Sequence, residues 1–230
     1  FEAIARSLPI TLLAKHKNQI HQLEALLFGQ AGLLYANHLE AYPKMLYKEY
    51  LFLSKKYNLK PVHQPIHFMR MRPGNFPTIR LAQLAILVHN SNHLFSKILE
   101  AKECKEVGQY LKITANDYWH YHYRFDEEKS YLPKRLGDDT VDNIIINTVI
   151  PTLFAYGLYN NIEHYKTKAI QWLENTKAEE NAITKGFKSL SVDNLSAFDS
   201  QALIELKNEY CNYKRCLECS VGMQLLKQAN

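Results

Sequence analysis

Glycine and proline are scarce in this chain, eight of each in 230 residues. With so little punctuation, long uninterrupted segments are left, which suits helices far better than the turn-rich connections of an all-β fold. Cysteine is scarcer still. Four cysteines, three of them bunched near the C-terminus, do not make the disulfide framework of a secreted domain. No apolar run reaches the ~20 residues that span a bilayer, and no basic-then-apolar leader precedes a small-residue cleavage site. The expectation is therefore a cytoplasmic protein with no membrane partner. The chain starts at Phe1, not at Met, inside a segment already patterned as a helix, so it reads as a piece of a longer protein. Also missing are a G-x-S-x-G elbow, an H-E-x-x-H pair and a Walker loop, which leaves hydrolase, zinc-protease and NTPase chemistry without support. Catalytic residues are unknown at this level.

What is present is ordinary globular composition, 47% apolar and 22% charged, with a mild net charge of +5 and fifteen tyrosines. That balance permits nucleic-acid or acidic partners without demanding them. Helical periodicity dominates and predicts an all-α, mainly helical, single compact multi-helix domain over 1–230, with a sub-boundary near 112–138. Ile20, Leu23, Leu26 and Leu27 form one apolar face ending at Gly29 and Gly32. Met45, Leu46, Tyr50, Leu51 and Leu53 form a second between Pro43 and Asn58. A third helix, Ile79 to Val88, is apolar nearly all round and belongs in the core. One short strand or hairpin is expected near 117–125, where aromatics and histidines alternate. Helices follow from Asp138 or Asp139, kinked at Pro151, then over Ile162–Leu173, Ala178–Phe187 and Ser200–Tyr210, with Ser196–Ser200 as a loop.

Two constellations carry chemistry. Arg70 to Arg80 holds three of the seven arginines and runs into the third helix. With Pro77 in the first helical position and Asn75 or Phe76 at the cap, Arg70, Arg72, Asn75 and Arg80 could surround free backbone N–H groups and hold a phosphate or carboxylate. The alternative is that these arginines serve the domain's own carboxylates and carbonyls. Cys211-x4-Cys216-x2-Cys219 is a partial metal set for zinc, less readily for an iron–sulfur cluster, with Cys104, His120, His122 or His164 as candidates for the fourth ligand. Its alternative is three thiols packed as small hydrophobes. Trp119, His120, Tyr121, His122 and Tyr123 read either as a base-stacking strip or as a core strand with histidines at its rim. Asp126-Glu127-Glu128 reads as a solvated acidic turn. Gln30, Asn147, Asn181 and Gln201 are amides on apolar helices, expected to be satisfied within the fold.

Several segments together resemble one family: Phe1-Glu2-Ala3-Ile4-Ala5, Glu24 to Gly32, Arg70 to Leu84, Ile146 to Pro151, and Gln201-Ala202-Leu203 to Cys219. The chain is similar to the C-terminal part of the uncharacterised bacterial domain-of-unknown-function family 2851 (DUF2851). The resemblance implies a helical partner domain. It also implies that longer members carry an upstream segment resembling PD-(D/E)xK nucleases, from which no residue can be transferred to this chain. Three functional expectations follow: a nucleic-acid-associated accessory domain working beside that nuclease-like half, a structural or protein-interaction domain with a cysteine-bound stabilising metal, and, with least support, a stand-alone enzyme.

Overall fold

The structure, a computed structural model, describes residues 2–228, so Phe1 at the head of the expected first helix lies outside the described residues. The chain divides into two compact units. One runs to Leu94 and resumes over Gln109–Asp138; the other takes Phe95–Gly108 and continues from Asp139. The fold is all-α. Among the described residues there is no strand, only isolated antiparallel bridges at Thr114–Arg135, His122–Glu128 and Lys177–Ser196.

The first unit opens with α1 (Glu2–Ser7), α2 (Ile10–His16), α3 (Ile20–Gln30) and α4 (Ala41–Tyr57), and then α5 (Pro77–Asn90). Helix α3 is its centre: every residue from Leu23 to Gln30 is buried, and α3 packs on both α4 and α5. The helix was expected to stop at Gly29, yet it runs through that position. Gly29 is there because the Tyr50 ring of α4 lies against it, so close that a Cβ would sit 2.1 Å from Tyr50 Cδ2. Gly32, at φ +67°, makes the left-handed turn that leads away. On α4, Leu46, Tyr50 and Leu53 are buried at i, i+4 and i+7. Met45 and Leu51, expected on the same face, fall outside that spacing and are exposed. Asn58 closes α4 in the left-handed conformation, φ 51°.

In chain order α6 (Leu94–Glu100) and α7 (Cys104–Leu111) precede α8 (Asp117–Tyr121). Helix α8 stands where alternation suggested a strand. The Asn116 side chain accepts a hydrogen bond from Tyr118 N and starts a helical turn, so the 117–125 segment is not a hairpin. His120 and His122 therefore do not share a strand face. Trp119 instead turns into the core and stacks on Phe28, centroids 5.1 Å apart.

In the second unit, α9 (Asp138–Ile144) passes through a π turn at Ile145–Val149 into α10 (Ile150–Tyr159). Pro151 can neither donate to the ladder nor tolerate the carbonyl four residues before it, and the wider turn just ahead accommodates both defects. Along this helix Ile145, Ile146, Val149 and Leu153 are buried, whereas Phe154 is exposed. The continuous helix Asp138–Tyr159 is 22 residues long and apolar enough to cross a membrane by length and composition alone, with 39% of its most apolar window buried inside the protein. The sequence reading missed it because Asn143, Asn147 and Thr148 interrupt the run.

Then come α11 (Glu163–Asn175), α12 (Ala182–Lys188), α13 (Ala197–Glu205) and α14 (Ser220–Gln228), with α11 against α10 and α13. Reciprocal caps start two of them, Asn181 with Thr184 and Ser196 with Asp199. The stretch expected as the loop Ser196–Ser200 is thus the first turn of α13, and Asn181 serves as a cap instead of an interior amide. Lys168 on α11 is buried. Its ammonium donates to Leu99 O at 2.8 Å, one of the carbonyls left open at the end of α6, and burial lowers its pKa.

Candidate functional site

Phe76 is the N-cap of α5 and Pro77 its first residue, and no side chain caps the helix start. Around it the structure gathers cations of several kinds. Arg80, whose pKa burial lowers, donates to Asn75 Oδ1 at 2.7 Å and Gln83 Oε1 at 2.9 Å. Arg80 and Asn75 are thus brought together, through amides. Arg70 and Arg72 are exposed, and among the described residues their side chains make no ion pair or hydrogen bond. Arg70 itself is left-handed, φ 60°, at the turn following Met69. A non-glycine residue held there is strained, and such strain concentrates at binding loops.

The segment carrying these arginines is long. From Asn58 to Arg72 the chain forms no helix or strand, and an ordered loop of that length inside a compact unit is a functional signal. Its end is fastened by stacking: Phe68 and Phe76 meet edge to face at 5.3 Å, and the Arg124 guanidinium lies 4.6 Å from the first ring and 5.1 Å from the second. Tyr123 approaches Phe76 edge-on, accepts a hydrogen bond from Thr78 through its carbonyl, and has the Lys134 ammonium 3.9 Å from its ring centroid.

Sequence reasoning missed Arg124 and Lys134, and it missed a simpler signal. Between Tyr50 and Leu94 there are six lysines and arginines and no aspartate or glutamate. Local charge, counted in a window instead of over the chain, would have found it.

The second polar centre is interior. Glu24 of α3 is fully buried, with Oε1 accepting from Asn116 Nδ2 at 2.5 Å and Trp119 Nε1 at 3.1 Å, and Oε2 accepting from the Tyr42 hydroxyl at 2.7 Å. Burial pushes its carboxyl up to about 8 against the opposing pull of the Tyr42 and Trp119 donors, and Tyr42 is itself raised, by burial and then by the Glu24 charge. The Tyr42 ring stacks on Tyr118 at 4.4 Å, and Tyr118 stacks on His122 at 4.0 Å. The Tyr118 hydroxyl and the His122 ring both reach Glu40. Enclosed on all sides, Glu24 is out of reach of a substrate and serves the core.

Asp126 corrects the reading of a solvated acidic turn. Left-handed at φ 62°, it turns its carboxylate onto Leu39 N and Glu40 N, each at 2.9 Å, and onto the buried His38 ring at 2.6 Å. Partial burial opposes its charge, but the Glu40 and Leu39 amides and His38 prevail and hold its pKa below the usual carboxylate value. That stabilisation is present above the ordinary carboxyl pKa and is lost as pH falls through the depressed one. Asp126→Ala should cost about 2 kcal/mol in urea melts at neutral pH, shrinking towards zero in acid.

The cysteine set does not assemble. Cys211 and Cys216 are exposed, Cys219 is buried, and among the described residues no group of three or more His, Cys, Asp or Glu side chains is placed to hold a metal ion. The turn between them is closed by Arg215, which pairs with Glu218 at 2.6 Å and donates to Glu209 O. Of the proposed fourth ligands, His122 is engaged by Tyr118 O and Glu40, and the Cys104 thiol, its pKa raised by burial, accepts from Thr176. Cys104 also lines a cavity of about 700 Å³ in the second unit, with His164, Lys168 and Trp172.

These features define an all-helical protein with an acid-free, arginine-bearing loop at the start of a core helix and, in the same unit, a buried carboxyl. The chain belongs to the family described as "Protein of unknown function (DUF2851)", whose model matches residues 1–182. The Gln201 to Cys219 stretch, one of those on which the resemblance rested, lies beyond the matched residues. No curated protein and no solved structure matches the chain.

Proposed function

We propose that the first unit binds the phosphate backbone of a nucleic acid, as an accessory domain beside the nuclease-like half that the family resemblance implies. The observation that carries this reading is the pair Arg70 and Arg72, exposed and without ionic partners among the described residues, on a stretch with no carboxylate from Tyr50 to Leu94. Arginines held for internal use would be expected to face carboxylates or carbonyls of the fold. These two are presented on a long loop fastened at its base by Arg124, Phe68 and Phe76.

Fluorescence anisotropy with a labelled duplex over a salt series tests it. The logarithm of the affinity should fall linearly with the logarithm of salt, and Arg70→Ala and Arg72→Ala should each reduce the slope by about 1. Together they should weaken binding roughly tenfold at moderate salt. Flat salt dependence, or full affinity in the double variant, overturns the reading.

A further inference from the structure

The loop tip that carries the arginines also carries exposed methionines. The sequence there is Phe68-Met69-Arg70-Met71-Arg72, in which Met69 is 79% exposed and Met71 47% exposed. Met69 contributes little to the core and Met71 is only half covered, so two apolar side chains alternating with arginines stand open to water. The backbone supports this. Arg70 is left-handed at φ 60°, which makes a turn at the tip, and the loop's end is held by Phe68 and Phe76 stacking with Arg124. A short apolar wedge flanked by arginines, on a fastened loop, is the combination with which proteins enter a minor groove, slip a side chain between base steps and neutralise the adjacent phosphates.

We infer that Met69 and Met71 form a wedge that inserts into the minor groove of duplex DNA and bends it, with Arg70 and Arg72 on the groove walls. The inference rests on the phosphate-binding reading above and gives it a substrate class. Methionine suits the role because its unbranched thioether is slim and adaptable. Two methionines bury too little apolar surface for stable anchoring at a membrane, and Leu59, Val62 and Ile66 of the same loop pack against the core while His63, Gln64 and His67 are exposed.

The experiment uses a duplex labelled at both ends for energy transfer, carrying A·T-rich or G·C-rich centres, with single-stranded DNA, duplex RNA and anionic lipid vesicles as comparison ligands. The whole chain should raise transfer efficiency on the A·T-rich duplex, and a minor-groove dye should compete with it. Met69→Ala with Met71→Ala should abolish the bend and weaken binding about fivefold while leaving the salt slope unchanged, because no charge is removed. Met69→Leu with Met71→Leu should restore the bend. Salt-dependent binding without bending, or bending that survives the alanine variant, overturns the wedge and leaves backbone binding standing. Tighter binding to the single strand, to duplex RNA or to vesicles also overturns it. Absence of salt-dependent binding to any nucleic acid overturns both readings.

Discussion

Glu24→Ala should lower the stability of the first unit by about 4 kcal/mol, a large share of the margin that holds a domain folded. The loss has two parts. Removing the side chain leaves a cavity in the best-packed stretch of α3, where Leu23 and Ala25 to Gln30 are also buried. It also leaves the buried Trp119 indole N–H without an acceptor and takes from the Tyr42 hydroxyl its acceptor and from the Asn116 amide one of its two. The pH dependence identifies the residue further. With its carboxyl pushed up to about 8 from an ordinary 4.5, Glu24 is protonated in both folded and unfolded chains at low pH and costs nothing there. As pH rises past 4.5 the unfolded chain ionises first, so the folded state loses ground until about pH 8, where it ionises too. At about 1.4 kcal/mol per pH unit this amounts to roughly 4–5 kcal/mol across that window. Glu24→Gln should remove that slope. Urea melts of the wild type and of this variant between pH 4.5 and 8 should therefore converge at the acid end and separate in favour of the variant towards pH 8. Parallel curves would show that Glu24 stays ionised in the fold.

Gly29→Ala should cost about 3 kcal/mol, although alanine is the better helix former. Propensity favours the change by at most about 1 kcal/mol, because Gly29 lies in the last turn of α3. Geometry opposes it. The new Cβ would stand 2.1 Å from Cδ2 and 2.2 Å from Cγ of Tyr50, the inner edge of a ring that cannot swing aside because it is itself buried. Either α3 and α4 separate or Tyr50 leaves its place, and leaving breaks its hydroxyl's bond with Gln30. Tyr50→Ala in the same chain should relieve the clash, so the double variant should be more stable than the sum of the two single changes predicts. Thermal melts of the four proteins decide it, and additive losses would remove the contact as the cause.

The all-helical architecture was legible because helical spacing, scarce turn residues and Pro77 at a helix start all pointed the same way. The misreadings share one cause. Gly29, Trp119 and Asp126 were judged by residue type and local spacing, whereas each is decided by a partner distant in sequence: Tyr50 over Gly29, Phe28 under Trp119, and His38 with the Leu39 and Glu40 amides around Asp126. Glu24 was hidden for the same reason, since nothing near it in sequence announces that Asn116 and Trp119 will arrive about ninety residues later to satisfy it. The arginine loop was legible as composition, but its fastening by Arg124 was not. The cysteine spacing suggested a ligand set that the geometry does not gather, because spacing alone does not say which way a turn folds.

The chain enters the second unit at Phe95, leaves it after Gly108 and returns only at Asp139. During synthesis the carbonyls of Leu99 and Lys102 leave the ribosome some seventy residues ahead of Lys168 and Trp172, the side chains that will bond to them. The fourteen-residue excursion is therefore a waiting segment, made early and unable to take its place while the remainder of its unit is still being translated. A nascent chain halted at Asp138 holds the complete sequence of the first unit and an orphaned piece of the second, so in this protein the order of manufacture and the order of assembly are different.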